Sequence, residues 1–187
     1  MSVRLLWLSA GLLVFVLCNR GAAYAAEYPL RSDVESVDGI IRAYYDVISG
    51  PAGAKRDLRR DESLHFPDAQ IIVLKREPGS DRTVARKLTL RQFHELSAPI
   101  FEQGIYETEI HRVQERFGSI IHVWSTYETR AEPQGRPLRR GVNSIQLYHD
   151  GSRFWITSWI YDAERPGQQI PARYLPKRPS DTKGASD

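Results

Sequence analysis

Apolar residues recur along this chain in two periods, and the change from one to the other divides it. Val34, Val37, Ile41, Tyr44 and Ile48 fall three or four apart, the spacing of one helix face. Ser32 and Glu35 open that run as an S-x-x-E capping box, and Gly50-Pro51 stops it. Residues 57–64 read as a short, charged second helix. His65-Phe66-Pro67-Asp68 then turns the chain into the apolar run 71–74, a strand. A turn at 77–81 leads to a second short strand near 83–88. Thr89 and Gln92 form another capping box, and Leu90, Phe93, Ser97, Ile100 and Phe101 share the face of the helix it opens. Pro99 kinks that helix and Gly104 closes it.

Beyond Gly104 the period is two. Segments 105–115, 120–130, 139–149 and 152–161 are rich in β-branched and aromatic residues and read as four long strands. Phe117-Gly118, a Pro/Gly-rich loop at 131–138 and the Asp150-Gly151 turn connect them. Helices first and a meander afterwards predict an α+β fold, with the helices on one face of a curved antiparallel sheet and a concave pocket between them.

Alternation assigns the two faces. If Asp150-Gly151 is a two-residue turn, His149 pairs with Ser152, Leu147 with Phe154, Ile145 with Ile156 and Asn143 with Ser158. Ile121, Val123, Ser125 and Tyr127 then continue the same, concave face on the preceding strand. Ser125, Tyr127, Asn143 and Ser158 are the polar groups on it, clustered towards one end, and they are candidates for binding a small molecule over an apolar floor. The other reading is that these four satisfy one another as a buried network. Trp124, Gln146, Tyr148, Trp155, Trp159 and Tyr161 go to the convex face. A patch with several large aromatics needs a partner, so a homodimer through the sheet is expected, unless the tail or another segment covers these rings.

Charge and composition narrow the function classes. The chain has 187 residues and a formal net charge of +3. Residues 1–25 hold Arg4, Arg20 and no acid, so the remainder carries 24 cations against 23 anions. A nearly neutral domain has no general electrostatic claim on nucleic acid. Residues 1–25 read as a secretory signal: Arg4, an apolar run over 5–18, then Ala23-Tyr24-Ala25 as a cleavage site. The run is short for a spanning helix, although an uncleaved anchor is the alternative. A lipid anchor on Cys18 is disfavoured by the bulky Leu17 before it. Cleavage removes the only cysteine, and with it thiolate catalysis, cysteine-bound zinc and disulfides. The expected organisation is a signal at 1–25, one domain at 26–175 and a disordered tail at 176–187, in a secreted or periplasmic protein without a membrane segment once processed.

Phe117-Gly118, Ser125-Thr126-Tyr127-Glu128-x-Arg130, Arg140-Gly141-x-Asn143-Ser144-Ile145-Gln146-Leu147, Trp155-Ile156-x-Ser158 and Ile170-Pro171-x-x-Tyr174-Leu175 occur here in order. With the layout above, this resembles small exported bacterial proteins of the nuclear transport factor 2-like, or cystatin-like α+β cone, superfamily. That group includes polyketide cyclases, scytalone dehydratase and ketosteroid isomerase. The resemblance spans roughly residues 32–175. It implies an acid or base in the cone, helped by a Tyr or Asn donor, and leaves open cofactor-free lyase or isomerase chemistry. Tyr127 and Asn143 match the donor role. His65, where the second helix meets the first strand, is the first candidate base and Asp68 the second.

Other constellations carry less. His111 and His122 share a face with Glu107, Glu109 and Glu128 if the Phe117-Gly118 hairpin has a two-residue loop, but an aromatic separates the histidines, so no metal is expected. There is no Gly-rich phosphate loop, no H-E-x-x-H and no G-x-S-x-G. Arg130, Arg136, Arg139 and Arg140 form a basic cluster that could steer an anionic ligand, but such a cluster more often reads as a solvated loop. The expectation is a homodimeric binder of a small, largely apolar molecule, with no cofactor. The competing class is an interaction or structural module whose cone is filled by its own side chains.

Overall fold

The computed structural model describes residues 27–177. The signal read at 1–25, and the tail from 178 onwards, lie outside the described residues. Four helices, α1 (Arg31–Val34), α2 (Val37–Ile48), α3 (Leu58–Leu64) and α4 (Leu90–Gln103), accompany six strands. The strands are β1 (His65–Arg76), β2 (Thr83–Leu88), β3 (Tyr106–Phe117), β4 (Ile120–Arg130), β5 (Arg139–His149) and β6 (Phe154–Ala163). They form one curved, open sheet in the order β2-β1-β6-β5-β4-β3. All pairs are antiparallel except β1 with β6. Among the described residues no helix is long and apolar enough to cross a membrane.

The helices lie where burial sends them. Ile40, Ile41 and Tyr44 of α2 pack into a core with Ile121, Val123, Ile145, Leu147 and Ile156 from the concave face. The expected first helix is two pieces. Ser36, not Ser32, caps α2 by accepting the Gly39 N–H at 2.9 Å. A hydroxyl one residue before the apolar run outcompetes one further back. The Thr89–Gln92 capping box is present, with both reciprocal bonds.

Three bulges interrupt the alternation. The β5–β6 connection spans residues 150–153: the Asp150 carboxylate accepts the backbone N–H groups of Ser152 at 2.8 Å and Arg153 at 2.9 Å, so His149 pairs with Phe154. Leu147 faces Ile156, but Gln146 faces Ser158, leaving Thr157 as the extra residue of a bulge. Its hydroxyl donates to the Gln146 carbonyl at 3.1 Å. Beyond it Ile145 faces Trp159 and Asn143 faces Tyr161. Trp159 and Tyr161 are therefore concave rather than convex, and Ser158 is convex, beside Gln146. On β3 the turn is Gly118-Ser119, with Phe117 opposite Ile120. A bulge at Ile110 then sets Glu109 opposite Tyr127 and Glu107 opposite Thr129, turning both carboxylates inward. The third shift, between His65 and Gln70, contains Asp68 at φ +62°.

The segment after β6 returns across the convex face. Tyr174 stacks on Trp124 with ring centroids 5.4 Å apart, and its carbonyl accepts the Thr126 hydroxyl at 2.5 Å. Trp124 is thus covered by the chain itself. The other end of that face stays open: Phe66, Phe117, Ile120 and Tyr148 are exposed, with Trp155 half-buried among them.

Candidate functional site

The side chains turned inward by the bulges meet at the wide end of the cone. Trp159 is wedged against Phe93 and Tyr44, centroids 4.8 and 5.8 Å away and both edge-on. With Ile100 and Phe101 these rings wall a cavity of about 80 Å³. Its polar side is Glu107, Tyr127, Arg139 and Asn143. The volume is well below the roughly 300–1,000 Å³ of sites that enclose a drug-sized ligand. A guest must be small or project from the mouth.

Glu107 is the unusual group. Burial pushes its carboxyl up to about 7, against the opposing pull of the Thr129 hydroxyl, the Arg139 charge and Asn143. Thr129 donates to its Oε2 at 3.0 Å. Arg139 donates through Nη2 to the Tyr127 hydroxyl at 3.1 Å, and its guanidinium lies over the rings of Tyr127 and Tyr161. Burial raises the Tyr127 phenol to about 12 although Arg139 opposes it, so the hydroxyl stays protonated and its hydrogen is available to a guest. Gly141 makes room for that hydroxyl: a Cβ there would sit 2.4 Å from the Tyr127 oxygen. Chemically, the set is a carboxyl able to give or take a proton near neutrality, a neutral donor and a fixed cation.

Behind this wall runs a line of hydrogen bonds. Asn143 Nδ2 donates to the Tyr45 hydroxyl at 3.0 Å, Tyr45 and Ser125 share a bond of 2.6 Å, and Ser125 donates to Glu109 at 2.5 Å. Arg112 holds the Glu109 carboxylate through Nη2 at 2.6 Å. Burial raises the Tyr45 phenol strongly, so its hydroxyl also remains protonated.

Comparison with protein-family models finds no match, and neither does comparison with curated protein sequences. Solved structures do match. LinA aligns at a TM-score of 0.50 and 8% identity, over 70% of this chain and 85% of that one. A hexachlorocyclohexane dehydrochlorinase, LinA-type3 from Novosphingobium barchaimii, gives 0.50 and 8%, over 70% and 86%. A nuclear transport factor 2-like protein of unknown function from Silicibacter pomeroyi gives 0.47 and 14%, over 70% and 94%. The chain has the nuclear transport factor 2-like fold.

Within this nuclear transport factor 2-like cone the residues singled out from sequence scatter. Tyr127 and Asn143 do line the cavity. Ser125 is buried in the hydrogen-bonded line behind it, and Ser158 is on the opposite face. His65 is not at the mouth. It is buried, its Nε2 accepts the Trp159 indole N–H at 3.3 Å and its Nδ1 donates to the Asp61 carbonyl at 2.9 Å. With both nitrogens engaged it holds Trp159 in place rather than acting as a base. Asp68 is exposed on the β1 bulge and lines no part of the cavity. Of the convex aromatic set, Trp159 and Tyr161 line the cavity instead, Trp124 is under Tyr174, and Gln146, Tyr148 and Trp155 keep the expected face. Glu107 and Glu109 leave the face of His111 and His122, and among the described residues no metal-binding group of three His, Asp or Glu forms.

Sequence reasoning missed Glu107 and Arg139 as site residues. Arg139 belongs to a cluster that reads as a solvated loop, yet it enters the cone while Arg130 pairs with Glu128 and Arg140 with Glu164. Glu107 was hidden because nothing in Tyr106-Glu107-Thr108-Glu109-Ile110 announces a bulge.

Proposed function

We propose that the chain is an exported, homodimeric small-molecule-binding protein, with its ligand at the wide end of the cone and Glu107 as the group that moves a proton. The observation that carries this reading is Glu107 itself. A carboxyl raised to about 7, facing a cavity rather than closed in an ion pair, is what acid–base catalysis at neutral pH requires. The ligand is small and largely apolar, with one polar atom placed to meet the Tyr127 hydroxyl or the Arg139 guanidinium. Lyase or isomerase chemistry without a cofactor fits this set: Glu107 takes a proton from carbon, and the donors stabilise the charge that develops.

Native mass spectrometry on the chain purified from its own host tests the proposal. The expected result is a reproducible small-molecule adduct that Glu107→Gln or Arg139→Ala abolishes. An adduct-free protein in repeated preparations, with no small ligand protecting it against heat, would sink it. One observation favours a second reading. The small cavity and the open apolar end of the convex face fit an interaction module, and the adduct-free outcome favours that reading.

A further inference from the structure

A second concavity lies on the far side of Phe101, whose ring borders both this groove and the cone. It runs between residues 53–58 and α4 and has a volume of about 430 Å³. Leu58, Ala98 and Phe101 supply apolar surface, and Lys55, Arg56 and Glu102 supply charge. At its base is His94, 8% exposed.

The surroundings of His94 fix its chemistry. Its Nε2 is 2.7 Å from Oδ2 of Asp61, a carboxylate 3% exposed. A carboxylate only accepts, so Nε2 carries the hydrogen. Asp61 is itself anchored, since its backbone carbonyl accepts from His65. Nδ1 of His94 has no hydrogen-bond partner among the described residues, and the residue lines the groove. With a buried carboxylate accepting from Nε2, Nδ1 is the ring's acceptor and is left for a guest. Lys55 is exposed and makes no ion pair among the described residues. Arg56 stacks on Phe101 at 5.4 Å while donating to the Gly50, Ala54 and Ile48 carbonyls. Glu102 is the single anion of the lining.

We propose that this groove binds a small apolar carboxylic acid as an ion pair with His94. The ligand enters as its carboxylate, and Nδ1 takes up one proton from a buffer acid in solution as the ion pair forms, an N–H bond made for the acid's bond broken. The resulting imidazolium has Asp61 behind it and the ligand carboxylate in front. Lys55 adds a second charge to the carboxylate, and the hydrocarbon part rests on Leu58, Ala98 and Phe101. This site does not depend on the cone cavity or on Glu107.

Benzoate titrated into the full chain is the probe, followed by long-range proton–nitrogen spectra of the histidine rings and by the alanine and isoleucine methyl signals. The expected result is saturable binding, with His94 Nδ1 becoming protonated and shifts at the Ala54 and Ala98 methyls. His94→Gln and Lys55→Glu should each weaken binding by about tenfold or more, the loss of one charge-assisted contact. Lys55 is a surface residue, so Lys55→Glu keeps the test open if His94→Gln does not fold. Absence of saturable binding, wild-type affinity in Lys55→Glu, or shifts at Ile48 and Ile105 of the cone instead, would each overturn the proposal.

Discussion

Glu107 ties the chemistry of the cone to its stability. The carboxyl titrates at about 7 in the folded protein, against an ordinary value of 4.5. Between these values the native state keeps a proton that the unfolded chain has released. Stability therefore falls as pH rises through that window and levels off above it. A shift of that size corresponds to on the order of 3 kcal/mol. Glu107→Gln cannot ionise, so urea unfolding from about pH 4 to pH 8 should show wild type losing roughly that much more stability than the variant. Parallel pH profiles for the two proteins would mean the carboxyl is not held in an apolar setting. Tyr127 illustrates the same dependence on near neighbours. Its hydroxyl occupies space that only glycine at 141 leaves free, which gives Arg140-Gly141 a physical reason beyond the turn it follows.

At the scale of elements, the bulge at Thr157 is what separates the expected cone from the observed one. Deleting Thr157 would close the bulge and leave Trp159 opposite Ile145, whereas inserting one residue between Ser158 and Trp159 would reverse the alternation and carry Trp159 and Tyr161 to the convex face. Trp159 is 3% exposed between Tyr44 and Phe93, so the insertion should cost at least about 3–5 kcal/mol, the loss of a core aromatic. Thr157→Val keeps the residue count and removes one hydroxyl bond to Gln146, worth about 1 kcal/mol. Chemical denaturation followed by tryptophan fluorescence distinguishes these. An insertion variant as stable as wild type would show that something other than the register of β6 orients Trp159.

Most elements were legible in the sequence because they rest on short-range chemistry. Thr89 with Gln92, Asp57 before α3 and Gly104 after α4 act within one turn, and strict alternation sorted Ile121, Val123, Tyr127, Asn143, Ile145 and Leu147 correctly. The candidate site was only partly legible. Glu107, Trp159 and Tyr161 all lie beyond a bulge, where one uncounted residue reverses every following assignment. His65 looked available because its partners, Trp159 and Asp61, are distant in sequence or attached through the backbone.

For the whole molecule, the unpaired feature is the open end of the convex face. Phe117 and Ile120 face each other across the β3–β4 turn, Ile120 pairs with Tyr148, and Tyr148 with Trp155. Phe66 packs edge-on against both Tyr148 and Trp155. This is one lateral row across five strands, and Phe117 is 86% exposed. A row of this kind suits a two-fold contact, in which each copy offers the same strip. Sedimentation should show a dimer for wild type and a monomer for Trp155→Arg. A variant that stays dimeric would move the interface elsewhere, since Trp124 is already stacked under Tyr174.

The parallel pairing of β1 with β6 has a consequence for how the chain comes into being. Every other neighbour of a strand is adjacent in sequence, but β1 waits for a partner that begins at Phe154. During synthesis the β1–β2 hairpin is made early and has no sheet to join until almost the whole domain has emerged. The core under α2 has no floor until β4, β5 and β6 exist. Such long-range closure is slow and arrives late. The β1–β2 hairpin and the β3–β4–β5 meander are each built from sequence neighbours, but neither touches the other in the sheet until β6 lies between them. The last strand is therefore the one that joins the two halves, with β1 on one side and β5 on the other.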